Sequence, residues 1–318
     1  MLNVPAATPP GALDLTGDAA RRRRALQRGA VAVLEGAGYE ELLPPTFEYE
    51  DTFLRAGGTG VAERLLRFPD RDGRVLALRY DFTSSVARIA ATTFAGAGLP
   101  LRLSYSGRVY RQDPERGGRP RETLQVGAEL LGDGSLEADV EIVRLTIELI
   151  RAAGLGDFQV NLGHVGVLAP GLAALEEPLR AQVRRWIDRK DRGGLTRALA
   201  GHTGDAATLL HLPFVIGRRD ALETALGATP APAVGGLRHL LALDDALGAG
   251  ERSHVVYDLG EVRGLDYYTG VHFEVFVSGT GRAAGAGGRY DELMGRFGRP
   301  MPAVGVSIDL DAIAEVPV

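Results

Sequence analysis

Residues 122–132 alternate almost without a break. Leu124, Val126, Ala128 and Leu130 share one parity, and Thr123, Gln125, Gly127 and Glu129 share the other. A strand points successive side chains to opposite faces, so this run reads as a strand with one wholly apolar face. The opposite face carries Gln, Gly and Glu, poor material for an ordinary solvent face. A glycine set between polar residues removes a side chain where something must approach closely. The run therefore reads as a pocket floor with Gln125 and Glu129 as its polar fixtures; the alternative is a plain exposed strand.

The same alternation marks strands near 74–83, 101–111, 158–163, 254–261, 271–278 and 303–308. Residues 39–45 read as a strand entering a Pro-Pro turn. Residues 112–121, Q-D-P-E-R-G-G-R-P-R, hold two prolines and two glycines and form a long hairpin loop. Helices are expected from Thr16–Asp18 to Gly36–Gly38, with Leu26, Ala30, Val33 and Ala37 on one face, and from about Ser84. A third follows the cap Asp133–Asp139, with Val140, Val143, Leu145, Ile147 and Ile150 apolar. From 165 to 250 the pattern changes to short Ala- and Leu-rich helical segments. The expected fold is α+β: an antiparallel sheet flanked by helices, formed by residues 1–164 and 251–318, with a helical insertion at 165–250 holding a small core of its own.

Composition narrows the class. The chain of 318 residues is 45% hydrophobic and 24% charged, with no apolar run near the ~20 residues a membrane span needs. Its N-terminal residues lack a signal-peptide pattern, which points to the cytoplasm. There is no cysteine, and the six histidines are scattered, so no metal site is expected. His202, His211 and His239 read as surface or capping residues. A net charge of −5 argues against a dominant nucleic-acid surface. Arg21–Arg24 cannot form one patch, because four successive helical residues point all round the cylinder. Lys190 is the only lysine, which reads as base composition rather than function.

Three segments carry candidate chemistry. Glu261–Gly270, E-V-R-G-L-D-Y-Y-T-G, sets a cation and two phenols in a glycine-bracketed turn between strands. It suits a small ligand with a carboxylate and a polar or aromatic end, or it is a hairpin whose tyrosines cover a core edge. Asp81 and Thr83 place a carboxylate and a hydroxyl at a strand's end, where they could receive an ammonium; Asp81 pairing with Arg79 is the alternative. Ala284–Asp291, A-G-A-G-G-R-Y-D, is glycine-rich enough to cradle a phosphate, a weak signal alone.

Taken together, these segments resemble the catalytic core of histidyl-tRNA synthetase, a class II synthetase fold. L-R-Y-D-F-T-S-S-V-A-R at 78–88 is similar to its L-R-P-E-G-T segment. G-R-V-Y-R-Q-D-P through R-P-R-E-T-L-Q-V-G-A-E-L-L-G is similar to motif 2, and R-G-L-D-Y-Y-T-G to the segment peculiar to the histidine enzyme. G-G-R-Y-D with P-A-V-G leads into motif 3. The likeness is collinear over nearly the whole chain. It implies that Asp81, Thr83 and Gln125 receive a histidine ammonium and Arg263 the carboxylate. Glu129 and Tyr268 would hold the imidazole nitrogens, with Tyr267 and Tyr290 lining the pocket and Arg111 as the retained motif 2 arginine.

The departures fall on ATP handling. Thr123 stands where the synthetases have a phenylalanine that stacks on adenine. Asp309, Leu310, Asp311 and Ala312 stand where they read G-x-E-R, so the phosphate-binding cation is replaced by Ala312. A lost aromatic stack forfeits ~1–3 kcal/mol by analogy with stacked bases. The likeness also stops where a synthetase continues into its anticodon-binding domain. An amino-acid pocket beside a damaged ATP site resembles the synthetase-like regulatory subunits of ATP phosphoribosyltransferase. That family implies no catalytic residue and no cofactor in this chain. It implies instead a homodimer within a hetero-oligomer with the short-form catalytic subunit, and histidine feedback on the first step of histidine biosynthesis. The rivals are a truncated synthetase that still activates histidine, opposed by Thr123 and Ala312, and an RNA-binding module, opposed by the acidic balance and the missing anticodon domain.

Overall fold

The computed structural model describes residues 8–57, 59–112, 120–229, 231–262 and 267–316. Among these residues the strands are β1 (Glu40–Leu42), β2 (Phe47–Tyr49), β3 (Arg67–Pro69), β4 (Val75–Leu78), β5 (Leu101–Tyr110), β6 (Glu122–Leu131), β7 (Phe158–His164), β8 (Ile216–Gly217), β9 (Val255–Asp258), β10 (Val271–Val277), β11 (Gly285–Arg289) and β12 (Ala303–Asp309). Nine form one sheet in the order β1-β5-β6-β12-β11-β10-β7-β9-β8; β2-β4-β3 form a second, small sheet.

The large sheet is antiparallel except for two pairs, β1 with β5 and β7 with β9. Parallel neighbours need a long crossover, and both pairs have one. The small sheet and the helix Thr83–Ala91 lie between β1 and β5. The helical stretch after His164 lies between β7 and β9. The expected strand at 74–83 ends at Leu78 and belongs to the small sheet. There the buried Arg79 turns inward, donating to the carbonyls of Arg108, Pro44 and Pro45, so the chain leaves the sheet at that point. The glycine-rich run at 284–291 is no phosphate cradle but strand β11. Its glycines make room for aromatic rings: a Cβ on Gly287 would lie 2.4 Å from the Phe273 ring.

The apolar face of β6 packs as its alternation requires. Leu124, Val126, Ala128 and Leu130 join a large cluster with the helices Gly17–Gly36 and Leu136–Ala152. Each fully buried Leu or Ile contributes roughly 1.5–3 kcal/mol. The first helix buries Ala30 and Leu34, whereas Ala37 is exposed. Its four arginines diverge, to Asp18, the Val316 carbonyl, Asp311 and Gln27 in turn. Residues 165–250 hold the helices Val165–Ala173, Leu179–Asp188, Arg192–Ala198, Arg219–Ala228 and Ala231–Ala246, with the short strand β8 among them. Leu168, Leu195, Leu237 and Leu240 share one cluster with Val160 and Val255 of the sheet. A second cluster covers the other face, around Phe82, Leu103, Tyr105, Tyr290 and Met294, with Tyr267 and Tyr268 packed against it.

Candidate ligand-binding site

Strand register builds the site's floor. One row of Cα partners crosses six strands: Leu103 on β5, Glu129 on β6, Gly305 on β12, Gly288 on β11, His272 on β10 and Gly163 on β7. Directly opposed residues point to the same face. Between Glu129 and His272 the floor is therefore bare backbone. The Glu129 carboxylate lies over the first gap: a Cβ on Gly305 would sit 1.7 Å from its Oε2.

Glu129 is 1% exposed and receives three hydroxyls. Thr83 Oγ1 donates to Oε1 at 2.7 Å, Tyr105 OH to Oε1 at 3.2 Å, and Tyr290 OH to Oε2. Burial pushes the Glu129 carboxyl up to about 8, against the opposing pull of the Thr83 and Tyr105 hydrogen bonds, and the Asp81 charge adds to the rise. Burial outweighs three donors because an ionised carboxylate loses more on leaving water than hydroxyls return. Gly127, next on that face, is the glycine the alternation flagged. The groups that approach it are the protein's own Tyr105 hydroxyl and Val306 carbonyl, each of which would lie 2.4 Å from a Cβ there.

Phenols make the wall. Tyr267 stands edge-on to Tyr268 at 5.2 Å between ring centroids and 5.3 Å from Tyr290. Tyr268 stacks on His272 at 5.8 Å. Burial raises the Tyr267 and Tyr268 hydroxyls, with Glu129 adding to the effect, so both stay neutral donors. His272 is 3% exposed, and among the described residues neither ring nitrogen has a hydrogen-bond partner. Burial lowers its pKa. The Glu261 charge and the backbone at Gly270 and Glu261 pull the other way.

The wall is braced from behind. Arg289, adjacent to Tyr290, donates to Asp139 at 2.9 Å and to the carbonyls of Asp133 and Ser135, and pairs with Asp291. Asp139 is equally buried, and its second oxygen lies 2.8 Å from His239 Nε2. His239 is therefore not a mere surface histidine; it ties the helix Ala231–Ala246 to the site's support.

The other expected residues divide. Thr83 and Tyr290 meet at Glu129. Asp81 Oδ1 accepts from the Ser84 N–H at 2.7 Å and so caps the helix Thr83–Ala91; it does not pair with Arg79. Gln125 is buried on the Glu129 face, opposite Gly107 and Asp309. Arg111 donates to the Tyr80 carbonyl at 3.0 Å and lies over the Tyr80 ring. Arg263 lies outside the described residues. At the motif 3 position, Ala312 is 0% exposed within the apolar cluster. Asp309 caps its helix and pairs with Arg282, and Asp311 accepts from the Leu124 N–H and pairs with Arg23. Sequence reading missed Tyr105, His272 and the glycine row, because each takes its place only once strand register is known.

A buried carboxyl ringed by hydroxyls on the face of an antiparallel sheet, with helices behind, defines a class II aminoacyl-tRNA synthetase-like chain. The histidyl-tRNA synthetase family matches residues 11–313. A solved ATP phosphoribosyltransferase regulatory subunit/histidyl-tRNA synthetase from Bacillus halodurans superposes with a TM-score of 0.87 at 31% identity, covering 98% of this chain and 83% of that one. A histidine–tRNA ligase subunit from Alicyclobacillus acidocaldarius gives 0.80 at 31% identity, over 99% of this chain and 98% of its own. The ATP phosphoribosyltransferase regulatory subunit of Moorella thermoacetica is 39% identical over 98% of this chain and 82% of the relative. The chain belongs to the histidyl-tRNA synthetase-like family of ATP phosphoribosyltransferase regulatory subunits.

Proposed function

We propose that this chain is a non-catalytic regulatory subunit that binds free L-histidine and activates the short-form catalytic subunit of ATP phosphoribosyltransferase. It works in the cytoplasm as a homodimer within a hetero-oligomer and confers histidine feedback on the first step of histidine biosynthesis. One contrast carries the reading: a buried carboxyl ringed by hydroxyls is kept on the sheet, whereas the motif 3 position is filled with apolar packing and paired carboxylates. Glu129 and Tyr268 would face the imidazole; Asp81, Thr83 and Gln125 the ammonium; Arg263 the carboxylate. Ala312 is packed into the core and carries no charge to meet a phosphate. Thr123 offers no ring for adenine.

The test mixes the purified chain with a short-form catalytic subunit and measures phosphoribosyl transfer with and without histidine. An increase in rate, or histidine inhibition that depends on this chain, is expected. Equal rate and equal histidine response in its absence would sink the proposal. Histidine-dependent pyrophosphate exchange by the chain alone would instead restore the synthetase reading.

A further inference from the structure

Lys190 is left without a role by everything above. It is one lysine among 36 basic Lys and Arg residues. It is also the one non-glycine residue with a positive φ, 52°, among the described residues. Its backbone ends the helix Leu179–Asp188: the Lys190 N–H donates to the Ile187 carbonyl and the Asp191 N–H to the Trp186 carbonyl, both at 2.9 Å. That pair of bonds is a Schellman stop, whose left-handed position is filled by glycine by default because a Cβ is strained there. Glycine would serve the turn better. The lysine side chain must therefore contribute something that offsets the strain.

Its contact is specific. Nζ donates to Asp258 Oδ1 at 2.8 Å and to the Pro213 carbonyl at 3.1 Å. Asp258 ends β9, and the same Oδ1 accepts the Gly260 N–H at 2.8 Å. The Leu259 N–H goes to the Val215 carbonyl. A Cβ on Gly260 would lie 2.0 Å from the Pro213 oxygen and 2.4 Å from Nζ, so the turn is seated directly against the ammonium. An ammonium is a compact point donor and a guanidinium a broad fork, which accounts for lysine here in a chain that otherwise uses arginine. Beside the turn, the Asp258 carbonyl and the His272 ring both crowd the spot that a Cβ on Gly163 would fill, at 3.1 and 2.6 Å, and Tyr268 stacks on His272.

We propose that Lys190 is a positioning residue, a latch from the helical stretch that fixes the Asp258–Gly260 turn and, through the crowding of the Asp258 carbonyl and His272 over Gly163, the ring on which Tyr268 stacks. The consequence for ligand rests on the histidine reading; the latch itself belongs to the free chain. Lys190→Gly tests it cleanly, since the substitution relaxes the helix stop while deleting the contact. Hydrogen exchange on the ligand-free variant is expected to rise about fivefold or more at Leu259–Val262 and Tyr267–Gly270, with the rest of the chain unchanged. Calorimetry should show histidine bound about three- to tenfold more weakly. Trp186, the only tryptophan and one turn upstream, should report histidine by its emission in the wild type and fall silent in the variant. Exchange identical to wild type, or raised evenly over the whole chain, would overturn the latch. Absence of histidine binding by the wild type would overturn the pocket reading and leave the exchange result to decide the latch.

Discussion

With its carboxyl pushed up to about 8, Glu129 keeps a proton at a pH where a free imidazole, titrating near ~6.5, has lost its own. A carboxyl–imidazole pair in the complex holds one proton between them. Between those two values the separated partners hold one proton as well, so binding needs no net exchange. Below that window binding must release a proton, and above it must take one up. Histidine affinity should therefore peak between pH 6.5 and 8 and fall by up to about tenfold per unit on either side. Glu129→Gln should remove the alkaline fall. Titration calorimetry across pH 5.5–9 checks both, and a flat profile in the wild type would discard the pairing. The same shift fixes a sign for the free chain. Folded Glu129 keeps its proton up to about 8, while the unfolded group ionises near its ordinary 4.5. Its stabilising effect is full below 4.5 and is lost as pH rises toward 8, by at most about 1.4 kcal/mol per unit. The difference in urea midpoint between the wild type and Glu129→Gln should shrink as pH rises from 5 through 6.5 to 8, a comparison in which the opposite pull of His164 and His272, whose pKa values burial lowers, cancels.

Strands and helices carry what single residues do not. The alternation in 122–132 showed which face of β6 was polar, but not what lay opposite. Gly305, Gly288 and Tyr105 entered the site through register, and register is set by pairing partners far along the chain. For the same reason β11 looked like a phosphate loop: a strand of glycines has no side-chain pattern to read. Gly305→Ala tests the row. Its Cβ has no room beside Oε2, so it should displace Glu129, destabilise the fold by about 1–3 kcal/mol and abolish measurable histidine binding. Asp139→Asn tests the brace behind it. It removes the carboxylate shared by Arg289 and His239, leaves a buried guanidinium short of its partner, and should cost about 3–5 kcal/mol by urea denaturation. An Asn variant as stable as the wild type would show that Asp139 is not the anchor its burial suggests. His239 was legible only as a lone histidine, because its partner sits on another helix.

Across the whole molecule, collinear motifs made the fold class readable before any coordinates, while the two parallel pairings and the small second sheet were not. Both depend on where long connections return, which local patterning does not encode. The ATP side of the comparison predicts a failure. Ala312→Arg, which restores the missing motif 3 cation, should not recover pyrophosphate exchange. It should instead lower stability by several kcal/mol, because the position is closed in apolar packing and the neighbouring Asp309 and Asp311 are already paired with Arg282 and Arg23. Recovered exchange in a folded variant would mean the nucleotide site is dormant rather than dismantled. Among its contacts with the rest of the described chain, the helical stretch grips the helix Leu136–Ala152 through His239 to Asp139 and strand β9 through Lys190 to Asp258. The second grip has a chemical consequence. The chain offers one ε-amine, on a side chain 36% exposed, so an acylating reagent has a single lysine to mark. The covalent tag would land on the contact that holds the turn, cancel its charge, and record by mass how many molecules had let go.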